Sequence, residues 1–193
     1  MQDKSHQTAV AVVPPEEVWG PIQAIREKHD RQFRRWMPHV NLLFPFLPAE
    51  WFKDVLPRLA EVCAGNAPLL VTLAEFRHFA HPSGRETLWL APQPKDDLAR
   101  LQAAHQAACL DCDDLSRFAA GFTPHLSVGQ ARSIREARKH LDAWQAAWTP
   151  ICFRLGSVAV LKCGQDTPYE FVRSVLPAGA CPSRSVTTLW DRG

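Results

Sequence analysis

One short phrase occurs twice in this chain, as Pro38-His39-Val40-Asn41-Leu42 and as Pro124-His125-Leu126-Ser127-Val128. Each reads Pro-His-apolar-polar-apolar. On a strand, side chains two apart share a face, so His39 emerges with Asn41 and His125 with Ser127, while Val40, Leu42, Leu126 and Val128 point to a core. Asn is depleted in strands, so its place beside a histidine calls for a reason. Two such strands set face to face present two imidazoles and two hydrogen-bond donors to one point. Transfer of a phosphoryl group between oxygens asks for that set. One imidazole takes a proton from the attacking hydroxyl or water, and the other protonates the departing oxygen. An unperturbed pKa of about 6.5 allows one ring to be neutral and the other charged near neutral pH. The Asn41 amide and the Ser127 hydroxyl can donate to the non-bridging oxygens as charge grows there. A single His-x-Ser on a strand is more often a satisfied packing pair. Two copies, each after proline and in matching places, are much harder to obtain by accident.

The elements that must position these strands read as two similar halves. Thr8 to Val13 is a β-branched run that predicts a strand, and Gly20-Pro21 opens a helix with Val18, Ile22 and Ile25 on one face. The strand His39 to Phe44 ends at Pro45. A helix after Pro48 carries Phe52, Val55, Leu56, Leu59 and Val62 inward and stops near Gly65. Strands at Leu69 to Phe79 and Glu86 to Leu90 flank a Pro82-Ser83-Gly84 hairpin loop. The second half begins with a helix near Pro94 that has Asp96 and Asp97 in its first turn and buries Leu98, Leu101 and Ala108. The strand Phe122 to Val128 follows. Ser133-Ile-Arg-Glu136 is a capping box for a helix facing inward through Ala137, Leu141, Trp144 and Trp148. Strands Cys152 to Leu161 and Tyr169 to Leu176 complete an α+β domain of two lobes over residues 1–176. Residues 177–193, rich in Pro, Gly, Ser and Thr, are expected to form a loose tail.

At 193 residues, with 46% apolar and 22% charged residues, the chain has the composition of an ordinary globular protein. The formal charge of +2 is nearly balanced and says little about polyanionic partners. No run is long enough to span a membrane, and Ala9 to Val13 is too short for a signal-peptide core, so a cytoplasmic, intracellular protein is expected. The six cysteines read as reduced thiols. Cys109-Leu-Asp-Cys112 has zinc-ligand spacing without a second CxxC, and His78-Phe-Ala-His81 could in principle donate the other pair. Neither compels a metal, and no cofactor is expected. The HxE and PCxxC of a zinc deaminase, GxSxG, the P-loop and the Rossmann fingerprint are all missing.

On its two histidine motifs and its order of elements from Thr8 to Leu176, the sequence resembles the two-histidine (2H) phosphoesterase superfamily. That family includes the bacterial RNA 2′,5′-ligase-like (LigT-like) proteins and cyclic nucleotide phosphodiesterases. Its pattern is His-apolar-Thr/Ser-apolar, twice. The resemblance implies a bilobed fold of two small antiparallel sheets related by a pseudo-twofold axis, with helices outside. It further implies metal-independent chemistry on RNA ends, 2′,3′-cyclic phosphates or 2′,5′-linked nucleotides, with His39 and His125 as general acid and base. His39, His125 and Ser127 match the pattern position for position. Asn41 stands where the family carries Thr or Ser, and Gln130 stands near where many relatives carry Arg.

Arg26, Lys28, His29, Arg31, Arg34 and Arg35 precede the first motif. They read either as an approach surface for RNA phosphates or as a solvated helix face and loop. Tyr169, the only tyrosine, is the aromatic singled out as a ligand contact. The expected partner is an RNA or nucleotide substrate, with no membrane, and the chain is expected to be a monomer. Two other readings stay open: a nucleotide- or RNA-binding module with a degenerate site, and a scaffold domain that keeps only the fold.

Overall fold

The computed structural model describes residues 3–118 and 121–175. The elements run β1 (Thr8–Val12), α1 (Trp19–His29), β2 (Val40–Leu43), α2 (Phe52–Ala64), β3 (Leu69–Ala80), β4 (Glu86–Gln93), α3 (Lys95–Ala108), β5 (Leu126–Ala131), α4 (Ile134–Ala147), β6 (Ile151–Leu155), β7 (Val158–Lys162) and β8 (Glu170–Val175). They build two antiparallel four-stranded sheets, in the orders β2-β1-β7-β8 and β5-β4-β3-β6. The expected tail beyond 176 lies outside the described residues.

The two sheets correspond strand by strand: β2 with β5, β1 with β4, β7 with β3 and β8 with β6. The halves are interleaved rather than side by side. After α2 the chain crosses into the other sheet as β3, and after α4 and β6 it crosses back as β7. The helices exchange as well. α1, which connects β1 to β2, packs on β5 of the opposite sheet, and α3, which connects β4 to β5, packs on β2.

The apolar run from Cys152 to Leu161 is not the single strand it suggests. Gly156 and Ser157 divide it, so that β6 pairs with β3 while β7 pairs with β1. Each piece meets the periodicity of a buried strand, and only the existence of two sheets tells them apart. Strand β5 also begins later than expected, at Leu126, because the ladder with β4 starts there and residues 122–125 have no strand partner among the described residues.

The main core takes side chains from both sheets, with Val10, Leu42, Leu73, Leu88, Leu90 and Leu126 among those fully buried or nearly so. In β1 and β7 alternate residues split between two environments. Val10, Val12, Val158 and Val160 enter the main core, while Ala9, Ala11, Ala159 and Leu161 floor a second cluster that holds Trp36 and Tyr169. Small residues on that face leave room for the aromatic rings above them. At helix α4, Ser133 accepts a hydrogen bond from the Glu136 N–H at 3.3 Å, and Glu136 accepts one from the Arg132 N–H at 2.8 Å. This is the expected capping box with its return bond shifted one residue toward the N-terminus. Gly129 is required by close approach. A Cβ there would stand 2.8 Å from the Cβ of His29, so only glycine lets the end of α1 rest on β5.

Candidate active site

Strands β2 and β5 are the corresponding edge strands of the two sheets, and the histidines stand immediately before them. The alternation matches the motif. Val40, Leu42, Leu126 and Val128 are buried, whereas His39, Asn41, His125 and Ser127 are partly exposed.

Both imidazoles are held by the same device. His39 Nδ1 lies 2.8 Å from the carbonyl oxygen of Met37, and His125 Nδ1 lies 2.9 Å from that of Thr123. A carbonyl only accepts, so each Nδ1 carries the proton and each neutral ring presents the lone pair of Nε2. Proline separates donor and acceptor in both cases. Its fixed φ places the carbonyl two residues back at a constant position beneath the ring. The repeated proline is therefore part of the device as well as a strand opener.

Aromatic walls complete the mounting. Trp36 stacks on His39 with centroids 4.2 Å apart, and Tyr169 stacks against Trp36 at 3.4 Å. On the other side, Phe79 meets His125 edge-on at 5.0 Å and Trp89 meets it at 6.0 Å, with the two walls stacked on each other at 4.6 Å. Burial pushes the His39 pKa down to about 4. The Met37 hydrogen bond opposes this, Arg26 and His125 push the same way, and Asp30 pulls back. Burial likewise lowers His125, against its bond to Thr123. Both rings therefore favour the neutral form.

Beside His39 lies a buried ion pair. Arg26 Nε and Nη2 each donate to Asp30 Oδ2 at 2.9 Å. Asp30 Oδ1 accepts from the Gln32 N–H and from Gln130 Nε2, at 2.9 and 3.1 Å. Gln130 Oε1 in turn accepts from the N–H and Nε of Arg31. An i,i+4 Arg–Asp pair on a helix reads as surface decoration, and nothing in the spacing distinguishes this buried one.

Asn41 shares the face of His39, and its Oδ1 is buried with no hydrogen-bond partner among the described residues. Ser127 lies opposite Trp89, whose Nε1 is also buried and unpaired among the described residues. Tyr169 is placed differently from a ligand contact. It is 5% exposed, its hydroxyl donates to the His6 carbonyl, and its ring backs Trp36. It supports the wall behind His39 instead. The basic residues do not form one surface either: Arg26 is buried, Arg35 bonds the Gln165 carbonyl, and His29 packs against His140 and Trp144. Cys109 and Cys112 are core thiols raised by burial to about 11 and 12, while His78 bonds Glu86 and His81 bonds Thr87. Among the described residues no cluster of three or more His, Cys, Asp or Glu side chains could hold a metal ion, and no helix is long and apolar enough to cross a membrane.

The depressed histidines carry a stability consequence. On acidification the unfolded chain takes up protons near pH 6.5, before the folded chain does. Stability from this source is complete above that pH and is lost as pH falls toward about 4 for His39. Allowing for its partial exposure, the His39 share is on the order of 2 kcal/mol. Urea titrations between pH 7 and pH 4 check this. His39→Gln should flatten the decline, and an unaltered decline would remove His39 as its source.

The model of the 2'-5' RNA ligase superfamily matches residues 14–167. Among solved structures, TT0787 of Thermus thermophilus is similar at a TM-score of 0.61 with 18% identity, over 89% of this chain and 98% of its own. E. coli LigT complexed with phosphate is similar at 0.58 with 15% identity, over 91% and 99%. The same protein complexed with 3'-AMP gives 0.56 with 16% identity, over 90% and 98%. No curated protein matches the chain in sequence. The matched span runs from before α1 to beyond β7 and takes in both histidine strands, and these structures share the two-sheet fold: the chain belongs to the 2'-5' RNA ligase superfamily of two-histidine phosphoesterases.

Proposed function

We propose that this chain is a metal-independent phosphodiesterase acting on RNA ends, 2′,3′-cyclic phosphates or 2′,5′-linked nucleotides, with His39 and His125 as the acid–base pair. The observation that carries the reading is the matched mounting of the two rings, each with Nδ1–H tied to the carbonyl two residues upstream. Each ring then has one working atom, Nε2. A phosphate between them meets a neutral pair, and its negative charge favours protonation of one ring. That ring gives its proton to the leaving oxygen as the P–O bond breaks. The neutral ring removes a proton from the water that forms the new P–O bond. Asn41 and Ser127 donate to the non-bridging oxygens. E. coli LigT, which is similar in fold, is known with phosphate and with 3'-AMP bound, in keeping with a nucleotide substrate.

The test is turnover of a 2′,3′-cyclic nucleotide in EDTA. The expected rate is unchanged by the chelator, because two imidazoles already supply both proton transfers. An absolute requirement for added Zn²⁺, Mn²⁺ or Mg²⁺, restored after stripping, would sink the mechanism. Nucleotide binding without turnover would make the chain a binding module, the outcome that the departure at Asn41 most directly invites. Absence of binding would leave a scaffold.

A further inference from the structure

A cavity of about 740 Å³ opens at the β3–β4 hairpin, lined by Arg31, His81, Ser83, Arg85, Thr87 and Gln130 among others. It adjoins the histidine site along one sheet face. Gln130 lies opposite Thr87, and Thr87 lies opposite Phe79, the residue whose ring meets His125. Ser127 and Gln130 are three residues apart on β5, which is roughly 10 Å at strand rise.

The cavity is electropositive by construction. Its one carboxylate, Glu86, is 5% exposed at the side chain and bonded to His78 Nδ1 at 2.8 Å. Arg31 is aimed rather than loose. Buried Asp30 holds Gln130 by its Nε2, which turns Oε1 outward to take the N–H and Nε of Arg31. Both terminal nitrogens of Arg31 are left without a partner among the described residues, as is the guanidinium of Arg85. His81 Nε2 lies 2.8 Å from Thr87 Oγ1, so a hydroxyl and an imidazole stand on the same wall. The terminal nitrogens of Arg31, the guanidinium of Arg85 and the Ser83 hydroxyl around one recess match a phosphate diester.

We propose that this cavity is a second phosphate subsite, which holds the backbone phosphate of the nucleotide next to the scissile one through Arg31 and Arg85. The inference rests on the phosphodiesterase reading, and it names the substrate class as an oligoribonucleotide rather than a lone cyclic nucleotide. Gln130 then serves to present Arg31 from the neighbouring element.

Titration calorimetry with two product-like probes tests this without turnover: a mononucleoside 3′-phosphate and a 3′-phosphorylated dinucleotide. The dinucleotide should bind about tenfold more tightly, in keeping with one charge-assisted contact. Arg31→Ala and Arg85→Ala should each remove most of that gain and leave the mononucleotide within twofold. The slope of log affinity against log salt should fall by about 0.7 for the lost phosphate contact. A dinucleotide with a neutral methylphosphonate linkage should bind like the mononucleotide. Equal affinity for the two probes, no binding of either, equal losses on both probes in the variants, or full retention of the gain by the methylphosphonate would each overturn the subsite. A retained dinucleotide preference in a protein that turns over no cyclic or oligomeric substrate would instead overturn the phosphodiesterase reading and leave the subsite standing.

Discussion

His39→Ala and His125→Ala should each lower kcat/KM on a 2′,3′-cyclic nucleotide by at least about 10³, toward the upper end of what positioned acid–base groups supply. The double variant should lose little beyond either single one. Once one ring is gone, the attacking proton or the leaving-group proton has nowhere to go, and the surviving ring is stabilising a transition state that is no longer reached that way. Size and chemistry must be separated, because His39 is stacked on Trp36 and truncation opens a space beside it. Glutamine serves as the control: it occupies much of the ring's volume and keeps a polar group near the Met37 or Thr123 carbonyl, but it shuttles no proton. His39→Gln and His125→Gln should therefore fold at least as well as the alanine variants and fail as completely. If both glutamine variants retain turnover within tenfold of the parent while remaining folded, the two imidazoles are not the acid–base pair.

The part of this site legible in the sequence is the part with a short period. Pro-His-x-polar-x on a strand fixes, by alternation alone, which side chains leave the core, and the observed burial of Val40, Leu42, Leu126 and Val128 follows that alternation. Helix signals of the same local kind hold at Ser133, where cap and acid are three residues apart. What depends on a distant partner is not legible. The split at Gly156 between two sheets needs the positions of β1 and β3, which no window around residue 156 contains. Tyr169 reads as a ligand contact because a lone tyrosine beside a strand has no visible partner in sequence. Its partners, Trp36 and the His6 carbonyl, come from the other end of the chain. Arg26 and Asp30 have the spacing of a solvated helix pair and are buried because β5 of the opposite sheet covers α1. That exchange of helices is a tertiary fact.

Asn41→Ala should lower kcat/KM by about 10²–10³, the scale of losing one donor to a developing oxyanion. It should do so without lowering stability. The amide turns its carbonyl inward, where Oδ1 is buried and unpaired among the described residues, which leaves its NH₂ as the end free to meet a ligand. A buried acceptor without a partner costs about 1–3 kcal/mol, and truncation to alanine removes that cost along with the amide. The relief offsets the packing lost with a small, partly exposed side chain. A residue kept for folding would behave in the opposite way, with activity and melting temperature falling together. Asn41→Thr restores a hydroxyl donor on the same strand position and should keep or raise turnover. Asn41→Asp keeps the shape but replaces the donor with a negative charge facing a phosphate, and should do at least as badly as alanine. The set is read by kcat/KM on one cyclic substrate together with thermal unfolding of each variant. Should Asn41→Ala leave turnover and binding unchanged while the histidine variants fail, the amide holds no phosphate oxygen, and Ser127 is the remaining donor of the two motifs.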